Sequence, residues 1–232
     1  MPEFNDESEL DNPVWSCLRT RHAHLAQGGP LALRYPAAFS PLSGMPTDAA
    51  ENVEALQNLF TAGEEFDVRG EFVSSTPPKW ETRGRIRVVQ MVRRDKAPLP
   101  VEGEPISALG AADVADMLAL VAVTHPGPFR ERTIELGAFV GIRLQGRLLA
   151  MAGERLWIGD HREVSGVCTH PETQGRGFAR VLLGHVINRM LGAGQIPFLH
   201  VDSRNERAIT LYEALGFARR TEFPLVQLRK IG

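Results

Sequence analysis

The chain has 232 residues, of which 43% are hydrophobic and 23% charged, and its formal net charge is −2. This composition is ordinary for a globular protein with a sizeable core, and the near-neutral charge gives no general attraction to nucleic acid or membrane. Two cysteines, Cys17 and Cys168, are too few for a disulfide framework. The acidic N-terminus is unlike a signal peptide, and no apolar run approaches transmembrane length. We therefore expect a cytoplasmic protein without nucleic-acid or membrane partners.

The first hundred residues predict a small N-terminal α/β portion. Apolar residues recur at helical spacing over residues 14–26, and a second helix follows Thr47 or Asp48, either of which could cap it. Alternating apolar residues predict strands at residues 31–35, 66–73 and 85–94. Residues 74–79 contain prolines and predict a loop. The prolines and glycine of residues 95–104 predict a boundary, which divides the chain into portions 1–100 and 101–232.

The second portion begins with hairpins and continues with a strand–helix–strand crossover. Helices are predicted at residues 111–123, 129–136 and 205–215, and a long helix follows Ala179, with its apolar face at residues 181–190. Strands are predicted at residues 138–144, 147–157, 163–170, 198–201 and in several pieces over 218–229. This order implies a mixed sheet with helices on both faces. Strand, helix and strand also occur in the first portion, which is consistent with a diverged second copy of one fold, although that copy lacks a glycine-rich loop.

The stretch from Glu163 to Ala179 is the most informative part of the chain. An apolar-alternating strand is followed by a polar turn, by Gly175-Arg176-Gly177 and then by a helical pattern. A helix N-terminus offers free N–H groups and partial positive charge, and glycine allows the backbone to approach a phosphate closely. The spacing is neither that of a P-loop nor that of a dinucleotide fingerprint. We interpret the stretch as a pyrophosphate cradle.

Two motifs in this portion resemble those of the GNAT superfamily of N-acyltransferases. Residues 174–179 fit its acetyl-coenzyme A loop, Gln/Arg-x-x-Gly-x-Gly/Ala, and the run from Asn205 to Phe217 fits a second motif. The resemblance covers the chain from about Ile106 onward, and residues 197–201 look closest to the glycine N-acyltransferase-like branch. It implies an α/β fold with a GNAT-like, mostly antiparallel mixed sheet. The first portion would then be a substrate domain or a diverged GNAT-like lobe.

The resemblance also implies a binding site for acetyl-coenzyme A. Backbone groups of the strand before the loop would bind the pantetheine arm, at Val167, Cys168 and Thr169. The pyrophosphate would be held by the loop and the first helical residues, which are Gln174, Gly175, Arg176, Gly177, Phe178 and Ala179. Asn205 would cap its helix and contact the pantetheine or acyl end. An ordinary paired strand is the alternative for the first of these sites.

Tyr212 and Glu163 are the predicted catalytic residues. By motif position Tyr212 would protonate the departing coenzyme A thiolate, although a tyrosine that only packs its helix is the alternative. Glu163 opens the strand that carries the reaction centre and is the leading general base, with Glu154 and a water molecule as the other candidates. Cys168 and His170 share a strand face but cannot complete a tetrahedral site, so we predict no metal.

These expectations describe an N-acetyltransferase, a monomer or homodimer. It would transfer an acetyl group from acetyl-coenzyme A to a primary amine of a small molecule or peptide, by direct attack. The alternative is a non-catalytic sensor module that binds acyl-coenzyme A. The identity of the amine and the length of the acyl chain are left open by the sequence.

Overall fold

A single sheet of eleven strands forms the centre of the part of the chain that the computed structural model describes, residues 7–70 and 79–231. In chain order the strands are β1 Gln27–Gly29, β2 Ala32–Arg34, β3 Leu42–Gly44, β4 Glu65–Arg69, β5 Trp80–Val92, β6 Ile106–Leu109, β7 Phe139–Leu144, β8 Arg147–Ile158, β9 His161–Thr169, β10 Ile196–Asp202 and β11 Ala218–Lys230. Across the sheet they lie in the order β1-β2-β3-β4-β11-β5-β10-β9-β8-β7-β6. The pairs β3–β4 and β9–β10 are parallel, and the other described pairs are antiparallel.

Helices cover both faces of this sheet. They are α1 Pro13–Arg19, α2 Ala50–Asn58, α3 Val114–Thr124, α4 Phe178–Gly192 and α5 Glu206–Ala214. Side chains alternate along each strand, so in β10 Leu199 joins the core under α4, whereas Phe198 joins the core under α1. The predicted mixed, mostly antiparallel sheet with helices on both faces is therefore confirmed. No helix in the described ranges is both long enough and apolar enough to span a membrane.

The two portions of the chain exchange strands. Each contains a parallel pair joined by a helix, β3-α2-β4 in the first and β9-α4-β10 in the second. The next strand along the chain then crosses over: β5 pairs with β10, and β11 pairs with β4. The two portions thus share one continuous sheet. That residues 1–100 and 101–232 are separate domains stays a prediction. The repeated connectivity is what a diverged second lobe would show.

Several predicted elements differ from the structure. The helix predicted over 14–26 ends at Arg19, and the closing strands predicted over 218–229 are the single strand β11. The predicted helix over 129–136 is only a 3₁₀ turn, Thr133–Leu136. The short strands β3 and β6 were not predicted, because three or four residues carry too little periodicity. Residues 71–73 of a predicted strand and 74–78 of a predicted loop lie outside the described residues.

The predicted cap of α2 is wrong. The helix begins at Ala50, and its N-cap residue, Ala49, makes no side-chain capping bond. Thr47 and Asp48 lie two residues and one residue before the N-cap; the Thr47 hydroxyl instead accepts hydrogen bonds from Ala49 N at 3.4 Å and Asn52 Nδ2 at 2.8 Å. The sequence correctly places a turn here, but local hydrogen bonding delays the start of the helix.

A buried arginine fixes the connection that follows β5. The side chain of Arg93 is 1% exposed, and its guanidinium donates hydrogen bonds to the main-chain carbonyl groups of Leu215 and Ala97, at 2.9 and 2.7 Å, and to that of Asp95. These bonds join the end of α5 to the strand of the other portion. The bond to Leu215, which is buried, also satisfies a carbonyl oxygen that burial would otherwise leave without a donor.

We expect the substitution Arg93→Met to lower the free energy of unfolding by about 3 kcal/mol, because it keeps side-chain length but removes three hydrogen bonds from a charged donor, one of them to the buried Leu215 carbonyl group. Urea denaturation measures the change. Arg94→Met removes the same charge from the next residue, whose exposed ion pair with Glu7 should contribute no more than about 1 kcal/mol. Equal losses in the two variants would contradict the structural role of Arg93.

Candidate active site

Strands β9 and β10 run parallel and then diverge. Their register pairs His161 with Ile196 first and Val164 with Leu199 last. Beyond that point β9 remains paired with β8 and β10 with β5, while the two strands separate from each other. The main-chain groups of residues 165–169 on the β10 side are therefore open to an extended, amide-bearing ligand.

A β-bulge shapes the open part of β9. The register with β8 shifts between Ser165 and Cys168. Within the bulge Gly166 has a φ of 63°, and a Cβ there would lie only 2.8 Å from Phe139 Cε1, so both backbone conformation and space require glycine. The bulge immediately precedes the predicted pantetheine-binding residues, Val167, Cys168 and Thr169.

The glycine-rich turn leads directly into α4. Gly175 and Gly177 have φ values of 86° and 82°, and a Cβ on either would meet no atom within 4 Å. Glycine is therefore required here by backbone conformation and not by packing. Gly177 is the N-cap of α4 and makes no side-chain capping bond, so the first N–H groups of the helix are available to an anion.

The two arginines near this turn, Arg176 and Arg180, differ in their surroundings. Arg176 forms an ion pair with Glu104 at 3.2 Å and lies outside the pocket lining. Arg180, one turn into the helix, lines the pocket instead. Gln174 joins the turn to α5, because its Oε1 accepts a hydrogen bond from Arg207 Nη1 at 3.1 Å.

A pocket of about 1120 Å³ brings these features together. One half is lined by the open part of β9, the glycine-rich turn and α5. The other half is lined by β3 and the residues after it, the end of β4, and parts of β5 and β11. Of the predicted cofactor-binding residues, the structure brings together all except Arg176: Val167, Cys168, Thr169, Gln174, Gly175, Gly177, Phe178, Ala179 and Asn205.

Two polar side chains support a ligand in the first half. The hydroxyl of Thr169 is buried without a hydrogen-bond partner, which is costly unless a ligand or water supplies one. Asn205 Oδ1 accepts a hydrogen bond from Ala208 N at 3.1 Å, so the predicted capping role is confirmed. The orphaned hydroxyl, the open β9 backbone and the uncapped α4 N-terminus together fit a coenzyme with a pantetheine arm and a diphosphate.

Tyr212 lies in the same half of the pocket. Its side chain is buried, and burial together with the nearby Cys168 raises the pKa of the phenol to about 12. The phenol therefore stays protonated near neutral pH, as a proton donor requires. Cys168 packs in a core with Phe139, and burial raises the pKa of its thiol to about 11, which agrees with a packing role.

The carboxylate of Glu163 accepts hydrogen bonds from three other residues. Its Oε2 accepts hydrogen bonds from Arg155 Nε at 2.8 Å and Leu156 N at 3.2 Å, and its Oε1 accepts from Arg155 Nη2 at 2.8 Å and His200 Nδ1 at 2.7 Å. Burial raises the pKa of this carboxyl, but the Arg155 charge and the hydrogen bonds outweigh burial and hold the pKa well below its usual range. Four donors use the acceptor positions of a carboxylate. This arrangement argues against direct proton acceptance by Glu163.

His200 is held on both ring nitrogens. Gln90 Nε2 donates to Leu10 O at 2.9 Å while Gln90 Oε1 accepts from Arg220 Nη1 at 3.0 Å, which fixes the orientation of the amide. Gln90 Nε2 lies 3.0 Å from His200 Nε2, so the ring accepts there and carries its proton on Nδ1, toward Glu163. The other carboxylate candidate, Glu154, binds Arg162 and Arg189 and lies outside the pocket lining.

Sequence reasoning missed the partners of Glu163. Arg155 and His200 each stand in a mostly apolar, mostly buried strand, and a charged or polar residue in a buried strand is a signal for a buried pair. In the described part of the chain, no three His, Cys, Asp or Glu residues come together as a group that could bind a metal ion.

Comparisons with known proteins agree with this geometry. Residues 139–224 match the model of the FR47-like protein family. A solved structure from Novosphingobium aromaticivorans, described as a GNAT-family acetyltransferase, is 36% identical and superposes with a TM-score of 0.87, covering 96% of this chain and 99% of that one. A GCN5-related N-acetyltransferase from Kribbella flavida has the same fold, with a TM-score of 0.60 at 17% identity and 94% coverage of both chains. The chain belongs to the GNAT family of N-acetyltransferases.

Two curated relatives match part of the chain. An uncharacterized protein of Mycobacterium leprae is 33% identical over 156 residues, 61% of this chain; the match spans 43% of that protein's length. The ribosomal protein bS18-alanine N-acetyltransferase of Salmonella typhimurium is 29% identical over 132 residues, which are 53% of this chain and 88% of that enzyme.

We expect the double substitution Gly175→Val, Gly177→Val to weaken acetyl-coenzyme A binding by about 10- to 100-fold, because β-branched side chains at positive φ add about 1–3 kcal/mol of strain to the cradle. Isothermal titration calorimetry measures the affinity. Gly194→Val is the matched control, since Gly194 also has a positive φ of 73° and no atom within 4 Å of a Cβ, but lies after the far end of α4. Unchanged affinity in the double variant would contradict the prediction that this turn binds the pyrophosphate.

We expect Glu163→Gln to lower the free energy of unfolding at pH 7 by about 3 kcal/mol, because it leaves the buried Arg155 charge without its counter-ion. Since the folded-state pKa of Glu163 lies below the ordinary value of 4.5, its contribution is complete above that value and is lost as the pH falls below it. The difference between wild type and variant should therefore shrink in denaturation curves below pH 4.5. Glu172→Gln, at an exposed ion pair with Arg147, should change stability by less than about 1 kcal/mol; a Glu163→Gln effect no larger than this would refute the buried pair.

Proposed function

We propose that this protein transfers an acetyl group from acetyl-coenzyme A to a primary amine of a small molecule or peptide by direct attack. The observation that carries the proposal is the opening between β9 and β10, which faces an uncapped helix N-terminus and a protonated tyrosine in one pocket. Acetyl-coenzyme A would supply the activated acyl group. Residues of the chain would position this donor and transfer the protons.

The backbone would position the donor. First-turn N–H groups of α4 would hold the diphosphate, with Gly175 and Gly177 giving it close access and Arg180 adding charge. The open main-chain groups of Val167, Cys168 and Thr169 would bind the amides of the pantetheine arm. A donor N–H from the same segment would stabilise the charge that develops on the thioester oxygen.

Proton transfer would involve Tyr212 and water. Tyr212, which its raised pKa keeps protonated at neutral pH, would donate its proton to the leaving sulfur. Because the acceptor positions of Glu163 are occupied and His200 Nε2 already accepts from Gln90, water is the better supported acceptor of the amine proton. Glu163 would then act by holding Arg155 and His200 in place.

The names of the relatives suggest which class of amine accepts the acetyl group. The bS18-alanine N-acetyltransferases are named for acetylating an alanine of a ribosomal protein, which favours a peptide α-amine as the acceptor here. A small-molecule amine agrees equally with the pocket, and the resemblance of residues 197–201 to the glycine N-acyltransferase-like branch favours it. A panel of amines assayed for release of free coenzyme A thiol distinguishes these acceptors. A sensor module is not favoured, and it would release no thiol with any amine in that panel.

We expect Tyr212→Phe to lower kcat by about 100-fold or more while the KM for acetyl-coenzyme A changes little, because only the proton donated in the transition state is lost. Tyr35→Phe is the control: Tyr35, the other tyrosine of the chain, bonds His22 and lies outside this pocket. Steady-state kinetics of thiol release measures both variants. Equal turnover in wild type and Tyr212→Phe would exclude the phenol as the acid.

A further inference from the structure

The half of the pocket that faces the N-terminal portion contains a cation that the reaction does not use. Phe66 and Val68 of β4 pack in the core under α2, so Arg69 points to the opposite face of the sheet, where it lines the pocket. The side chain is partly buried, and burial lowers the pKa of its guanidinium. This lowering reflects the cost of removing the charge from water.

The contacts of Arg69 offset its charge only in part. The guanidinium donates to the main-chain carbonyl of Asp11 and lies over the ring of Phe223, 4.9 Å from its centroid. Asp11 and Asp48 act on its pKa only through their charge, and within the described residues the guanidinium takes part in no ion pair. By contrast, Arg155 in the same pocket is paired with Glu163.

Arg69 lies near the point where β9 and β10 diverge. Phe223 stacks edge-to-face with His200, the first residue of β10 beyond the last parallel pair, at a centroid distance of 5.5 Å. The two ring distances place the guanidinium no more than about 10 Å from the His200 ring, which is the span of about three extended residues. An acceptor amine at the divergence point could therefore place a second group on Arg69.

We propose that Arg69 recognises an oxyanion of the acceptor, so that the substrate is an amine that carries a carboxylate or phosphate within about 10 Å of its nitrogen. The proposal rests on the proposed acetyl transfer and names its substrate class. A guanidinium stacked on an aromatic ring keeps its N–H edge available, and this edge matches the two oxygens of such a group. Met45, Ile86 and Leu225 line the same half of the pocket, together with the polar Ser43, Thr47 and Asp48.

Matched acceptors test this proposal in the full-length protein. Glycine, diglycine and triglycine are compared with their C-terminal amides, and phosphoethanolamine with ethanolamine, by thiol release. Wild type should favour the anionic member of at least one pair by about 10- to 100-fold in kcat/KM, the value of a charge-assisted hydrogen-bond pair. The peptide pairs report a carboxylate and the last pair a phosphate. Equal kcat/KM within every pair would overturn the proposal.

The variant Arg69→Gln should remove this preference, and Arg69→Lys should restore part of it by keeping the charge without the planar fork. Arg229→Gln is the control for net charge, since Arg229 is exposed on β11 outside the pocket. Melting temperature and acetyl-coenzyme A affinity establish that Arg69→Gln is folded. A preference that survives in Arg69→Gln would assign recognition to another residue and overturn the proposal.

Binding without turnover separates this proposal from the proposed function. Calorimetry with N-acetyltriglycine and its amide should show tighter binding of the carboxylate by about tenfold in wild type and no difference in Arg69→Gln. If this difference is present but no amine releases thiol, the anion site stands and acetyl transfer fails. If thiol is released without any discrimination between the pairs, acetyl transfer stands and the anion site fails.

Discussion

The structure depends on the divergence of two parallel strands, and Glu163 holds them together immediately before they part. Its carboxylate receives hydrogen bonds from Arg155 and the Leu156 amide on β8 and from His200 on β10. One side chain thus joins three neighbouring strands at the last pairs of the β9–β10 register. Beyond this point the backbone of β9 is free to bind a ligand. A buried ion pair contributes little net stability over an apolar core, so geometry at the opening is the better explanation for its presence.

The exchange of strands explains why the pocket has two unlike halves. In each portion a helix follows the first strand of a parallel pair, but only in the second portion do glycines directly precede that helix. The corresponding turn of the first portion carries Pro46, Thr47 and Asp48, and it lines the other half of the same pocket. Because β5 and β11 each pair with strands of the other portion, the halves are joined by backbone hydrogen bonds. Donor and acceptor would therefore meet inside one sheet and not between two mobile domains.

The sequence predicted what local chemistry requires. Gly175 and Gly177 were identifiable because a positive φ excludes most residues, and Asn205 because a helix N-cap needs a short polar side chain. The role of Glu163 was not predictable in the same way, since its partner His200 lies 37 residues away and only the tertiary fold brings the two together. The strand exchange and the position of Arg69 were not predictable either, because they too depend on contacts between distant parts of the sequence. Short strands such as β3 were missed because three residues carry no period.

The protonation states of the groups at the site constrain which amines can react. Burial keeps Tyr212 protonated, and the acceptor positions of Glu163 are occupied by four donors. Under the proposed reaction the amine must then arrive largely as the free base. A peptide α-amine, with a pKa near 7.8, is unprotonated in about one molecule in seven at pH 7, whereas a lysine-type amine is unprotonated in about one in 2,500. A reaction in which water accepts the amine proton therefore favours acceptors whose amine has a low pKa. Under both proposals, a short peptide that presents its α-amine at β9 and an oxyanion at Arg69 would contact both halves of the pocket.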